Sequence, residues 1–159
     1  MQLDPEHVGD HIDRLYRAAW ALCGSREDAE DLVQETYARV LAKPRFLRNE
    51  DDLGYLLRAL RNTFLTRKRT ESRRPRTEPF ADGLEPAGGR SPDEELEAGE
   101  VFAAIAELPQ DFRDVLVAVD VAGLSYGETA RALRIPEGTV MSRLYRARQQ
   151  AARTLRVDE

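Results

Sequence analysis

The sequence predicts an all-α protein of two small helical domains joined by a flexible linker, with a helix-turn-helix in the C-terminal domain. Apolar residues recur at three- and four-residue intervals along most of the 159 residues, which is the period of amphipathic helices. Residues 70–89 interrupt this period with Pro, Gly and charged residues, a composition typical of linkers. We therefore expect a first domain at residues 8–72, a linker at 73–94 and a second domain at 95–155.

The first domain is expected to contain three helices. The first covers residues 8–23 and ends at Gly24, because glycine adopts the left-handed conformation that terminates helices. Ser25 is the expected N-cap of the second helix, which Pro44 ends, and the third covers residues 53 to about 69. The residues predicted to face a shared core are Val8, Ile12, Leu15, Tyr16, Ala19, Leu22, Cys23, Ala29, Leu32, Val33, Thr36, Val40, Leu41, Leu53, Leu56, Leu57, Leu60 and Phe64.

The second domain begins with clear helix-start signals. Ser91, Pro92 and Glu94 provide an N-cap, a proline at the first helical position and a capping-box acid for a helix that extends to about residue 108. Pro109 begins the next helix, and Gly123 follows its end. The apolar face of that helix is expected to comprise Phe112, Val115, Leu116 and Val119.

The end of the chain has the pattern of a helix-turn-helix. Ser125 and Glu128 form a capping box at the start of a short helix, whose core residues are expected to be Ala130 and Leu133. Residues 135–138 break the helical period. A longer helix follows at residues 137–153, with an inner stripe of Val140, Leu144, Ala147 and Ala151.

Charge is distributed in alternating blocks. The net charge of the chain is -5, but it is -5 for residues 1–52, +6 for 53–78, -8 for 79–114 and +2 for 115–159. Two basic blocks predict contact with phosphate in two places, and the acidic blocks predict contact with a basic protein surface. The alternative is that these blocks are solvated helix faces.

Several classes of protein are not expected. No apolar run approaches the roughly 20 residues of a membrane-spanning helix, and the first residues lack the parts of a signal peptide, so we expect a cytoplasmic protein without membrane insertion. Cys23, the only cysteine, offers with His7 and His11 only a weak basis for a metal site. We expect no cofactor and no enzymatic activity, because the chain lacks a phosphate-binding glycine loop, a paired metal-ligand motif and a nucleophile with an obvious His partner.

The last helix carries the candidate contacts with duplex DNA. The second helix of a helix-turn-helix fits the major groove, where polar side chains read base edges and arginines contact phosphates. The backbone amides of Gly138 and Thr139 are expected to form an anion site, with Arg148 and Arg153 as additional cations. The candidate residues are Glu137, Gly138, Thr139, Met141, Ser142, Arg143, Tyr145 and Arg146. The alternative is a helical hairpin whose arginines are only solvated.

Three stretches of the chain together resemble a known family. They are DAEDLVQETYARVL, YLLRALRN and LPQDFRDVLVAVDVAGLSYGETARALRIPEGTVMSRLYRAR. The family is the extracytoplasmic-function (ECF) sigma factors: the first stretch resembles the region 2 helix that docks on the polymerase clamp, the second is similar to the promoter-facing helix that follows, and the third is similar to region 4. The resemblance covers nearly the whole chain and implies a protein that binds bacterial core RNA polymerase and directs promoter recognition, DNA melting and transcription initiation.

The resemblance also implies a role for each candidate residue. It implies that region 4 binds the minus-35 promoter element through the candidate residues of the last helix. The expected partners are the β′ clamp and β flap of core RNA polymerase, promoter DNA and an anti-sigma factor. The residues implied in polymerase binding are Asp31, Gln34, Glu35 and Arg39. Those implied at the minus-10 element are Phe46, Arg48, Asn49, Tyr55, Arg58, Arg61 and Asn62.

The chain departs from the family pattern at three positions. Tyr55 and Thr66 stand where the family usually has Trp and often has an acid, and Met141 stands where a basic residue is common. Tyr55 keeps an aromatic ring on which a base can stack. Thr66 removes the ion pair, and Met141 removes the minus-35 contact, that the family pattern would provide. The alternative function is a stand-alone dimeric helix-turn-helix regulator, which would give two-fold symmetric footprints without polymerase.

Overall fold

The fold is known from a computed structural model that describes residues 11–42, 52–71 and 92–157. In these ranges every regular element is helical, which confirms the all-α prediction. No helix among them is both long enough and apolar enough to cross a bilayer. The elements are α1 (Ile12–Cys23), α2 (Arg26–Ala42), α3 (Asp52–Glu71), α4 (Pro92–Ala106), α5 (Gln110–Leu116), a π-helix (Val117–Val121), α6 (Tyr126–Leu133) and α7 (Glu137–Val157).

Several sequence predictions lie outside the described residues. These include Val8, Pro44, Ser91 and most of the predicted linker. At the edge of the linker the structure differs from the prediction, because α3 continues through Glu71. The side chain of Thr70 donates a hydrogen bond to the Thr66 carbonyl at 3.0 Å, so this polar residue is accommodated within the helix.

The first domain packs α1, α2 and α3 around a core of leucine and alanine side chains. Gly24 ends α1 as predicted, with φ at 77° and its N–H bonded to the Trp20 carbonyl at 2.7 Å. A Cβ atom on this residue would lie 3.0 Å from Cβ of Ala106 in α4. Glycine is therefore required here both by the backbone conformation and by the close approach of the second domain.

Two of the residues predicted to face the core are exposed, while Ala18, Trp20 and Ala21 belong to the core and were not predicted. Ile12 is 49% exposed and Leu41 is 43% exposed. Each lies in a terminal turn of its helix, whereas the buried residues of the stripe lie nearer the centre. Trp20 is only 7% exposed, because it packs edge-on against Phe102 of the second domain with ring centroids 4.9 Å apart.

The second domain contains a helix-turn-helix, α6 and α7, supported by α4, α5 and the π-helix. The capping box is confirmed: Glu128 N–H donates to Ser125 Oγ at 3.1 Å, and Ser125 N–H donates to the Glu128 carboxylate at 3.0 Å. Of the two residues predicted to face the core from α6, Leu133 is half-buried and packs against the core, and Ala130 is half-buried; the fully buried residues of this helix are Thr129 and Ala132. The buried face of α6 differs from the predicted face because this helix packs on α3 as well as on α7.

The π-helix could not be predicted from the apolar period. It continues directly from α5, and the Ala122 N–H bonds to the Val117 carbonyl at 2.8 Å, five residues earlier. Such wide turns are rare inside helical segments and often occur at functional positions.

The two domains share one continuous apolar core. Helix α1 packs on α4 and the π-helix, while α3 packs on α6. The predicted promoter-facing helix is therefore in contact with the first helix of the helix-turn-helix.

We expect Ser125→Ala to lower the free energy of unfolding by about 1 kcal/mol, because the N-terminal amide of α6 loses its side-chain acceptor. Urea denaturation followed by circular dichroism measures this change. Ser142→Ala is the matched control, because its hydroxyl bonds only within the exposed face of α7. Equal losses for the two variants would contradict a specific role for the capping box.

Candidate nucleic-acid interface

The exposed face of α7 carries the predicted duplex-DNA contacts. Its inner stripe is confirmed, since Val140, Leu144, Ala147 and Ala151 are all buried. Tyr145 is 65% exposed and Met141 is 48% exposed, which is unusual for side chains of this size. The other predicted residues are exposed at Glu137, Gly138, Ser142 and Arg146 and half-buried at Thr139 and Arg143. The structure therefore brings all eight residues together along the first three turns of one helix.

The turn before α7 is held by backbone hydrogen bonds. Arg134 adopts the left-handed conformation, with φ at 58° and ψ at 47°, and its N–H bonds to the Ala130 carbonyl. The Pro136 carbonyl accepts hydrogen bonds from the amides of Thr139 at 3.0 Å and Val140 at 3.1 Å. The prediction of an anion site formed by the Gly138 and Thr139 amides is therefore wrong for Thr139, because its amide is already bonded within the turn.

Arg148 was predicted to supply a cation for phosphate, but it pairs with a side chain in the π-helix. Its Nε lies 2.9 Å from one carboxylate oxygen of Asp120, and its Nη2 lies 2.7 Å from the other. These hydrogen bonds raise the pKa of the Arg148 guanidinium. The bidentate pair joins α7 to the π-helix and so helps to fix the orientation of α7 on its domain.

The α3 residues predicted at the minus-10 element fall into two groups. Tyr55 is half-buried against the core, and Asn62 is exposed. Arg58 and Arg61 instead contact the second domain: Arg58 Nε donates to the Ala132 carbonyl at 2.9 Å, and Arg61 Nε donates to Asp114 at 2.7 Å.

The loop residues predicted at the same element, Phe46, Arg48 and Asn49, lie outside the described residues.

The predicted polymerase-binding residues lie on one face of α2. Asp31, Gln34 and Arg39 are exposed, and Glu35 is partly exposed. The two carboxylate oxygens of Glu35 contact Arg39 Nη2 at 2.9 Å and Arg67 Nε at 3.3 Å. Glu35 therefore joins α2 to α3 as well as contributing charge to the face.

Sequence reasoning missed the residues that join the two domains. Arg113 is 6% exposed and donates hydrogen bonds to the carbonyls of Leu22 at 3.3 Å and Leu108 at 2.8 Å. Its burial lowers the pKa of the guanidinium. Asp114, 7% exposed, accepts from Gln110 and Arg61. The sequence did contain one indication of these contacts, because Arg113 and Asp114 are two adjacent charged residues among the apolar residues of α5.

A cavity of about 140 Å³ lies between the domains beside Cys23, Arg67 and Arg113. Burial raises the pKa of the Cys23 thiol to about 12, which makes it a poor nucleophile and metal ligand at neutral pH. Among the residues described, no group of three or more metal-ligating side chains comes together.

Comparison with known proteins identifies the family. Residues 7–74 match the family profile of Sigma-70 region 2, and residues 98–150 match that of Sigma-70 region 4. The ECF RNA polymerase sigma factor EcfG of Rhodopseudomonas palustris is 36% identical over 92% of this chain and 82% of its own length. The chain belongs to the ECF sigma factors. Another relative, SigE of Mycolicibacterium smegmatis, is 37% identical over 91% of this chain, which spans 58% of that relative.

Solved sigma-factor structures have the same fold. RpoE from Bartonella quintana, solved in complex with the anti-sigma factor NepR, aligns with a TM-score of 0.71 and 25% identity over 97% of each chain. CnrH, solved with the cytosolic domain of CnrY, aligns with a TM-score of 0.68 and 24% identity over 97% of this chain and 88% of its own. Sigma factors bind RNA polymerase and direct it to promoters, and they are not a family of enzymes.

We expect Met141→Arg in this sigma factor to tighten promoter binding and to steepen its dependence on salt by about one unit of log slope. The side chain at position 141 is exposed on the face of α7 that carries the predicted DNA contacts, so we expect an added cation there to contact a phosphate. Binding to a promoter duplex is measured by fluorescence anisotropy across a range of salt concentrations. Leu96→Arg, at an exposed site on α4, is the control for net charge. An unchanged slope for the Met141 variant would place this residue away from the phosphates.

Proposed function

We propose that this chain binds bacterial core RNA polymerase and confers on it recognition of a two-part promoter, melting of the minus-10 element and initiation of transcription. The observation that carries this proposal is the presence of both Sigma-70 regions, in order, on one chain. Region 2 comprises α1 to α3, and region 4 comprises α4 to α7. A protein with both regions contains a polymerase-docking unit as well as a duplex-binding unit.

Helix α7 is the proposed reader of the minus-35 element. Its polar face begins at the N-terminal turn, as in helices that enter the major groove. Ser142 and Arg146 are exposed and have donors suited to base edges, while Tyr145 offers an aromatic surface. The Asp120–Arg148 pair fixes the orientation of the helix, and Arg148 acts as a positioning residue rather than as a phosphate contact.

Helix α3 and the residues before it are the proposed contacts for the minus-10 element. Separated strands are held by stacking on aromatic rings and by cations along the backbone. Tyr55 offers the ring on α3, although its half-buried position leaves only part of it accessible. Arg58 and Arg61 offer the cations, provided that they are released from the second domain.

The exposed face of α2 is the proposed docking surface for the β′ clamp. Asp31 and Glu35 give this face its negative charge, which suits a basic partner surface. Region 4 is proposed to contact the β flap, as the family resemblance implies. An anti-sigma factor is a further proposed partner, supported by the complex of the related RpoE with NepR. Because it would act with RNA polymerase, the cytoplasm is its proposed location.

Transcription in a defined system tests this function. The purified chain is mixed with sigma-free core polymerase and a genomic template, and the transcripts are sequenced from their 5′ ends. We expect discrete start sites that share two upstream elements. Failure to associate with core polymerase at any salt concentration, or two-fold symmetric footprints without polymerase, would contradict the proposal and support the stand-alone regulator instead.

We expect Glu35→Lys to weaken core binding at least about tenfold and to remove the mapped start sites, because it places a cation on the proposed docking face. Asp31→Lys, which leaves the contacts of Glu35 with Arg39 and Arg67 in place, should act in the same direction. Binding is measured by fluorescence anisotropy of the labelled chain, with circular dichroism as the test of folding.

The matched control is Glu107→Lys, the same charge change at an exposed residue of the second domain. If Glu107→Lys weakens binding as much as Asp31→Lys does, the docking face is not on α2.

A further inference from the structure

Arg134 holds a backbone conformation that residues other than glycine rarely adopt. It lies between α6 and α7 with φ at 58° and ψ at 47°, and in the described ranges it is the only non-glycine residue with a positive φ. In this left-handed region the Cβ atom crowds the following carbonyl oxygen, which destabilises the folded chain. The short side chains of asparagine and aspartate offset this strain with a local hydrogen bond, whereas arginine has no such means.

The backbone of the turn explains the conformation but not the choice of arginine. The Arg134 N–H bonds to the Ala130 carbonyl, and the Ile135 N–H bonds to the same oxygen at 3.1 Å, so the turn is held by main-chain atoms. At Gly123, where φ is 82°, the chain carries glycine although a Cβ atom there would meet no neighbour within 4 Å. A glycine at position 134 would complete the turn without strain.

The side chain of Arg134 makes no contact within the protein that would offset the strain. It is exposed, and no hydrogen bond or ion pair joins its guanidinium to another residue in the part of the chain that the structure describes. By contrast, Arg58 and Arg61 bind groups of region 4, and Arg148 binds Asp120. An unpaired arginine at a strained position of a DNA-binding motif indicates a partner outside the chain.

The position of Arg134 suits contact with the backbone of a DNA duplex. In a helix-turn-helix the first helix crosses the phosphate backbone, and the second enters the major groove with its N-terminal residues. Arg134 lies in the turn between these helices, three positions before Glu137, the first residue of α7. The exposed carboxylate of Glu137 repels phosphate at this end of α7, so a cation in the turn would also offset that repulsion. Arginine binds phosphate through a planar set of donors.

We propose that Arg134 contacts a phosphate of the DNA duplex that α7 reads, and that this contact offsets the strain of its left-handed backbone. The inference rests on the proposed function of α7 and adds a phosphate contact that lies outside the recognition helix. Because phosphate contacts carry no sequence information, Arg134 contributes affinity for a duplex of any sequence.

Arg134→Gln tests the contact by removing the charge. The probe is a short labelled duplex of mixed sequence, and its binding to the full chain is measured by fluorescence anisotropy across a range of salt concentrations. We expect the affinity to fall about threefold to tenfold and the log slope of the salt dependence to decrease by about one unit. Arg156→Gln, at an exposed residue in the last turn of α7, makes the same change in net charge and should leave the slope unchanged. Equal changes for the two variants, or an unchanged slope for Arg134→Gln, would overturn the proposal.

Arg134→Gly separates binding from stability, because the two are expected to change in opposite directions. Glycine relieves the left-handed strain, so the midpoint of thermal unfolding should rise by about 2 °C while the duplex affinity falls as it does for Arg134→Gln. Arg134→Lys keeps both the charge and the strain, so it should keep the salt slope without raising the midpoint. A midpoint that falls or does not rise in Arg134→Gly would show that arginine suits the turn for its own sake, and would overturn the proposal.

These measurements are independent of the proposed interaction with polymerase. If the chain fails to bind core polymerase but Arg134→Gln still lowers the salt slope, the phosphate contact stands and the sigma-factor function does not. If the chain directs transcription but Arg134→Gln leaves the slope unchanged, only the phosphate contact is refuted. A wild-type chain that binds no duplex even at low salt would also refute the contact.

Discussion

The last carbonyl groups of an α-helix have no partner inside the helix, and in this sigma factor arginines from the opposite domain supply partners at two such ends. Arg113 donates to the Leu22 carbonyl of α1, and Arg58 donates to the carbonyls of Arg131 and Ala132 in α6. Cations are favoured at these ends by the helix dipole. The contact of Trp20 with Phe102 adds apolar area, so the two regions form one core while they are in contact.

This arrangement gives the same side chains two alternative partners. On α3 the guanidinium groups face either region 4 or, in the proposed function, the minus-10 DNA. The polar face of α7 and the proposed docking face of α2 are exposed while the two regions are in contact.

Local features of this fold were predictable from sequence, while contacts between distant residues were not. The inner stripe of α7 and the capping box of Ser125 and Glu128 depend on residues within a few positions of each other, and both predictions are confirmed. The bond from Arg58 to Ala132 joins residues 74 positions apart, and nothing in the local pattern of either helix indicates it. The same limit explains why Trp20 was missed, since its partner lies in the other domain. Sequence reasoning could name Arg58 as a candidate DNA contact but could not predict its contacts with Ala132 and Arg131.

The most direct test of this account is the distance between the two regions, measured by spectroscopy of labels at Thr70→Cys and Ala103→Cys, two exposed positions on α3 and α4. The native Cys23 is replaced by serine in this protein, so that only the introduced thiols are labelled. The account predicts one short distance in the free chain and a much longer one in the complex with core polymerase and promoter DNA, as two elements about 85 Å apart require. An unchanged short distance in a transcriptionally active complex would contradict it.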